Sequence, residues 1–178
     1  MELMQAIESR RSIRAFKEDA IVTADQIKEM VKAAGLAPTW KNSQTGRYYL
    51  AISEDKMEEV RKSLPEFNVN SSKNAKAYIV TAFEGKRAGF DREGNPDNEL
   101  GDMWGAYDLG LQNENLLLKA REMSLDTLVM GIRDADALRK AFDIPESQIV
   151  VSVIAVGVRE NDVDMPKRKE VDSILKVF

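Results

Sequence analysis

Asp108-Leu109-Gly110-Leu111-Gln112-Asn113-Glu114-Asn115-Leu116-Leu117-Leu118-Lys119-Ala120 is the middle of the longest helical stretch in the chain, Leu100 to Met123. Trp104, Tyr107, Leu111, Asn115 and Leu118 fall on one face of it. Leu109, Leu116, Leu117 and Ala120 make other faces apolar as well. A helix apolar nearly all round lies at the centre of a domain or in a subunit interface. Around it, strand-like and helix-like segments mix without strict βαβ alternation, which favours an α+β domain over a doubly wound parallel sheet.

Working outward from that helix, Met1 to Ser9 reads as a short amphipathic helix. Thr23 with Gln26 forms a capping box for a second helix, whose buried stripe is Ile27, Met30, Val31 and Ala34. Gly35 and Pro38 end it. Tyr48 to Ile52 reads as a strand, and Ser53 then caps a helix with Met57, Val60, Leu64 and the stem of Arg61 inward, stopped by Pro65. Ala77 to Phe83 is a buried strand and Glu84 to Glu99 a loop. Beyond the long helix come a strand at Leu125 to Val129, a helix at Ala135 to Phe142, and a long central strand at Ile149 to Val158.

The 178 residues suit one domain, 1–178, with no internal repeat. A net charge of −4 argues against general nucleic-acid binding, which needs a basic face. The chain has no Cys, so no disulfide framework and no Cys-ligated metal. It has no His either, which excludes Ser-His-Asp and Cys-His catalysis. No apolar run could span a bilayer. The N-terminus shows no apolar leader, and the expected compartment is the cytoplasm.

Against that acidic background stand two basic clusters. Arg10-Arg11-Ser12-Ile13-Arg14 crowds three guanidiniums and a hydroxyl into one turn. Like charges this close repel, so the cluster makes most sense facing an anion, and the planar Arg fork matches phosphate two bonds at a time. The plainer reading is a solvated helix end complementing the dipole. Lys167-Arg168-Lys169 near the other end is either a solvated tail or a second clamp converging on the first. Lacking the usual proton shuttles and thiolates, such a chain borrows its chemistry from a phosphorylated cofactor.

Other segments are quieter. Pro38, Thr39, Asn42 and Gln44 belong to a polar loop that turn chemistry alone could explain. Asn70-Ser71-Ser72-Lys73 and Met130-Gly131 also read as turns. The acidic run from Asp91 to Asp102 imitates a calcium loop but has Pro96 where that loop needs Gly, and Asp102 in place of the closing Glu.

Taken in order, these segments resemble the flavin-dependent nitroreductase family. The likeness runs from Glu8 to Phe16, through Ala37-Pro38-Thr39 with Asn42 and Gln44, to Lys167-Arg168-Lys169. Asp108 to Ala120 is similar to the family's central helix. The resemblance implies an α+β homodimer of domain-swapped type, with a central, mainly antiparallel sheet flanked by helices and a C-terminal arm, about 166–178, packed on the partner. It implies FMN at the subunit interface. Arg10, Arg11, Ser12 and Arg14 match the phosphate motif, and Lys167 and Lys169 the basic pair that closes on it, with Arg168 between them a further candidate contact. Pro38, Thr39 and Asn42 match the loop that reaches the flavin from the partner. Asn70 and Lys73 resemble the pair at the pyrimidine edge. Gly131 resembles the backbone donor near flavin N5; Met130 precedes it where larger members carry an acid.

The expected activity is ping-pong transfer from NADH or NADPH, through FMN, to a small organic acceptor such as a nitroaromatic or quinone. No catalytic side chain is expected beyond Lys73 as a charge stabiliser, no metal, and no membrane or nucleic-acid partner. The alternative is a non-catalytic flavin or phosphometabolite binder using the same clamps.

Overall fold

The computed structural model describes residues 1–178. In chain order the elements are α1 (Leu3–Ser9), α2 (Ala24–Ala34), β1 (Gly46–Ala51), α3 (Glu54–Lys62), α4 (Glu66–Ser71), β2 (Ala77–Glu84), α5 (Met103–Glu122), β3 (Asp126–Met130), α6 (Ala135–Ala141) and β4 (Gln148–Gly157). The four strands form one antiparallel sheet in the order β1-β2-β4-β3. The architecture is the expected α+β.

The central strands β2 and β4 are apolar at consecutive positions because helices cover both sheet faces. Tyr78, Val80 and Ala82 of β2 join Met57, Val60, Leu64 and Leu138 on the side of α3 and α6. Ala77 and Ile79 join Ile27, Met30, Leu116 and Ala120 on the side of α2 and α5. Each fully buried Ile, Val or Leu here contributes about 1.5–3 kcal/mol. Thr81 faces Ser152 with Oγ to Oγ at 2.8 Å, beside a bulge that sets Ala82 opposite Val150.

The Thr23–Gln26 capping box forms as the sequence predicts: the Gln26 amide donates to Thr23 Oγ1 at 3.2 Å, and the Thr23 amide to Gln26 Oε1 at 2.9 Å. Two readings need correction. Strand β1 begins at Gly46 rather than Tyr48, because Gly46 and Arg47 pair with Phe83 and Ala82. Asn70 and Ser71 are not turn but the end of α4. On α5 the face buried by this chain is Gly105, Asp108, Leu109, Gln112, Leu116, Leu117 and Ala120, while Tyr107 stays 59% exposed. The helix is apolar beyond what one chain covers. Gly105 lets α5 sit on β2, since a Cβ there would overlap the Phe83 ring.

Beyond β4 the chain runs exposed from Glu160 to Phe178, with Ile174, Leu175 and Val177 open to solvent.

Candidate functional site

The basic cluster is held out by two anchors. Leaving α1, the chain bridges Ser12 to Thr127, and the Ile13 amide donates to the Thr127 carbonyl at 3.0 Å. Ile13 and Phe16 are buried in the core. Arg10, Arg11 and Arg14 are thereby left facing outward along edge strand β3.

These three arginines, Ser12, Val163, Pro166 and Arg168 line a hollow of about 140 Å³. No carboxylate lines it. Arg11 spends one nitrogen on the Glu8 and Arg10 carbonyls, both at 2.7 Å, and Arg14 reaches only the Ser12 carbonyl, at 3.4 Å. Arg10 pairs with Glu114 at 3.6 Å. The Nε atoms of Arg10 and Arg11 are buried without a hydrogen-bond partner. Four guanidiniums with so little internal compensation fit an oxyanion of phosphate size. Of the C-terminal basic residues, Arg168 joins this hollow, while Lys167 and Lys169 line a shallower one with Glu170.

Arg159, a residue the sequence reading passed over, fixes the cluster's height on the sheet. Its Nε and one terminal nitrogen donate to Asp126 Oδ1 at 3.0 and 2.6 Å, and the same terminal nitrogen donates to the Ser9 carbonyl at 3.0 Å. Arg121 supplies a further bond to Asp126 at 3.0 Å. Hydrogen bonding to Asp126 raises the Arg159 pKa above its ordinary value.

At the other end of β3, Asn68 Nδ2 donates to the Ile132 carbonyl at 3.1 Å, and the Asp134 amide to the Ser63 carbonyl at 2.7 Å. These bonds tie Asn68 of α4 to the turn after Met130; Asn70, two residues further along α4, and Lys73 beyond its end are both exposed. The Met130 side chain is buried in the core, so it offers a ligand only backbone. The place of a Cβ at Gly131 is open. Exposed Val129 and Ile132 flank it. From Thr127, beside Ser12, to Gly131 is four residues, about 13 Å at roughly 3.3 Å each.

Pro38, Thr39 and Asn42 lie elsewhere. Their loop precedes β1, at the far edge of the sheet and the opposite end of β4 from the arginines. Lys41, Asn42 and Gln44 all take positive φ (47°, 55° and 49°), an uncommon run for residues with a Cβ. Asp108, buried in α5, holds the loop: its Oδ2 accepts from the Trp40 amide at 2.8 Å. Burial pushes the Asp108 carboxyl pKa up. An Asp within an apolar helix was the one signal that could have marked this anchor in the sequence.

No group of side chains is arranged to hold a metal ion, and no helix is long and apolar enough to cross a membrane.

Residues 7–158 match the family model described as the Nitroreductase family. A protein of Archaeoglobus fulgidus named "Putative NADH dehydrogenase/NAD(P)H nitroreductase" is 29% identical over 168 residues, covering 92% of this chain and 88% of its own. The crystal structure of a nitroreductase family protein from Streptococcus pneumoniae superimposes with a TM-score of 0.86 at 18% identity, over 99% of this chain and all of the other. The crystal structure of a "putative nitroreductase in complex with FMN" from Exiguobacterium sibiricum superimposes with a TM-score of 0.82 at 19% identity, over 100% of this chain and 98% of that one.

Proposed function

The chain belongs to the nitroreductase family, and from that premise we propose that it is an FMN-dependent oxidoreductase passing electrons from NADH or NADPH to a small organic acceptor, a nitroaromatic, a quinone or a related compound. The observation that carries this reading is the row along β3. A hollow ringed by four guanidiniums lies at one end beside Ser12 and Thr127, and the open backbone turn at Gly131 lies four strand residues, about 13 Å, further along. Such spacing suits an elongated ligand with a phosphate at one end and a flat, polar-edged ring at the other.

Arg10, Arg11, Arg14 and Arg168 would bind the phosphate and Ser12 would donate its hydroxyl, with Lys167 and Lys169 adding positive charge nearby. Gly131 would present its backbone close to the ring, since no side chain stands in the way. Val129 and Ile132 offer apolar surface that keeps water from one side of that seat. Asn70 would orient the ring through its amide, and Lys73 would offset the negative charge that reduction places on the pyrimidine edge. Bound FMN supplies the two-electron chemistry that a chain without His or Cys cannot supply itself. The chain offers no imidazole proton donor, so protons for the product come from water.

The same reading makes the protein a homodimer with shared sites. Leu3, Met4 and Ile7 of α1 and Met103 and Tyr107 of α5 are exposed, as is the apolar arm ending in Phe178. A two-fold partner covering these faces would carry its Pro38–Asn42 loop to this chain's flavin, with Thr39 and Asn42 as the polar contacts. The experiment is an absorbance spectrum of purified protein. Flavin bands that bleach with NADH or NADPH support the function. Flavin bands that neither donor removes would identify a binder without catalysis, and protein that takes up no flavin overturns both.

A further inference from the structure

Away from β3, a hollow of about 770 Å³ lies between the Trp40–Ser43 segment and the Lys86–Gly94 loop, within the size range of small-molecule sites. Its walls are tied. The Lys86 amide donates to Asp102 Oδ1 at 2.6 Å and the Asp97 amide to the Gly89 carbonyl at 2.7 Å. Both Asp91 oxygens are taken by Asn95, at 2.8 and 3.2 Å. Gly89 has φ +83°, and a Cβ there would crowd the Gly101 carbonyl and Trp104. The aromatic wall is Trp40, packed at a 46° tilt against Trp104 with ring centres 4.5 Å apart, together with Phe90.

The charge of the hollow contradicts that of the chain. Lys41, Lys86, Arg87 and Arg92 line it against Asp91 and Glu93, in a protein of net charge −4. Lys41 is paired with Asp97 at 2.7 Å. The side chains of Lys86, Arg87 and Arg92 make no ion pair and no hydrogen bond. The Ser43 hydroxyl is buried without a partner. Uncommitted guanidiniums beside flat aromatic rings match phosphates attached to a base: Arg forks take the phosphates, and the rings give the base a stacking surface.

We propose that this hollow holds the adenylate, phosphate-bearing end of the pyridine dinucleotide donor, with Arg87 and Arg92 on the phosphates and Trp40 or Phe90 against the base. The inference rests on the function proposed above, because the loop forming one wall is the one assigned there to the partner's flavin. The nicotinamide then reaches that ring while the hollow, next to it, holds the far end of the same molecule. The site sets donor affinity and takes no part in the transfer itself.

The test uses the FMN-loaded protein and its Arg87→Ala/Arg92→Ala variant, with circular dichroism to confirm that both are folded. Steady-state KM is measured for NADH, for NADPH and for reduced nicotinamide mononucleotide, which lacks the adenylate. ADP is titrated into both proteins by calorimetry. We expect the KM for the dinucleotides to rise about tenfold relative to that for the truncated donor, and ADP affinity to fall by a similar factor. Equal shifts for full and truncated donors, or ADP affinity untouched by the double substitution, overturn the proposal. If neither dinucleotide reduces the wild-type flavin, the oxidoreductase reading fails and the donor role with it. The ADP titration then still separates an adenylate site, lost in the variant, from no site at all.

Discussion

Arg159 and Asp126 are 33 positions apart in sequence and share two hydrogen bonds on one carboxylate oxygen, at 3.0 and 2.6 Å. The Arg159 amide also donates to the other oxygen at 3.0 Å. Because the same guanidinium holds the Ser9 carbonyl, the end of α1 is fastened to the start of β3 one residue before the basic cluster begins. The pair is a clamp on the geometry of Arg10 to Arg14.

Replacing Arg159 by Met keeps the apolar stem and releases Ser9, while Arg121 still satisfies part of Asp126. Stability should fall by about 2 kcal/mol, less than for a pair broken outright. Flavin affinity should fall about tenfold further than in a core variant chosen for the same measured stability loss. Arg159→Lys should restore stability in part but not affinity, because an ammonium cannot reach two acceptors in the guanidinium plane. Chemical denaturation and flavin titration of the three variants decide this, and equal affinity at matched stability would refute the clamp.

Asp108 holds the loop of three left-handed residues through one acceptor. Asp108→Asn retains an acceptor for the Trp40 amide and removes the cost of ionising a buried carboxyl. Since the folded pKa is raised, the folded state keeps its proton to higher pH than the unfolded chain does. Wild-type stability therefore falls as pH rises through the carboxylate range, and that slope should flatten in Asp108→Asn. Asp108→Leu should leave the Trp40 amide unpaired, lowering stability by about 1–3 kcal/mol. Denaturant midpoints between acid and neutral pH measure both effects, and an unchanged slope in the Asn variant would count against this role.

Lys73→Met removes a charge and keeps the stem. With Lys73 at the pyrimidine edge, the bound flavin's reduction potential should drop in the variant, and reduction by NADH or NADPH should slow. Binding of oxidised FMN, held mainly by the arginines, should change less. A solvated lysine predicts no change in either quantity, so equal midpoints in a redox titration of variant and wild type would eliminate the role.

Deleting residues 171–178 removes Ile174, Leu175, Val177 and Phe178, all exposed in the single chain. If they pack on a second subunit, the truncated protein should dissociate at higher concentration than the full chain and release FMN as it does so. Light scattering combined with flavin fluorescence tests the coupling; a flavin-loaded monomer of the intact chain would contradict it.

What could be read from the sequence follows what is local. The Thr23–Gln26 box, the continuous apolar run of β2 and the long α5 pattern depend on neighbours a few positions away, and each formed where expected. The α4 helix was missed because its only buried residue is Asn68, a polar side chain whose place is set by the Ile132 carbonyl 64 positions on. The arginine cluster was visible as crowded charge. That Arg168 meets it while Lys167 and Lys169 flank it depends on the path of the chain after β4, which no periodicity encodes. Asp126 with Arg159, and the Arg87–Arg92 hollow, are likewise products of packing.

The arginine row and the Thr39–Asn42 loop occupy opposite corners of one sheet. In the two-fold dimer proposed above, each site would draw its phosphate clamp from one polypeptide and its covering loop from the other. Two lesions that each silence a homodimer, one in Arg14 and one in Asn42, therefore concentrate in the same cavity when the two polypeptides associate. The opposite cavity inherits neither. Co-expressed alleles of this kind would complement one another, and the molecule would pass its electrons through the single cavity left whole.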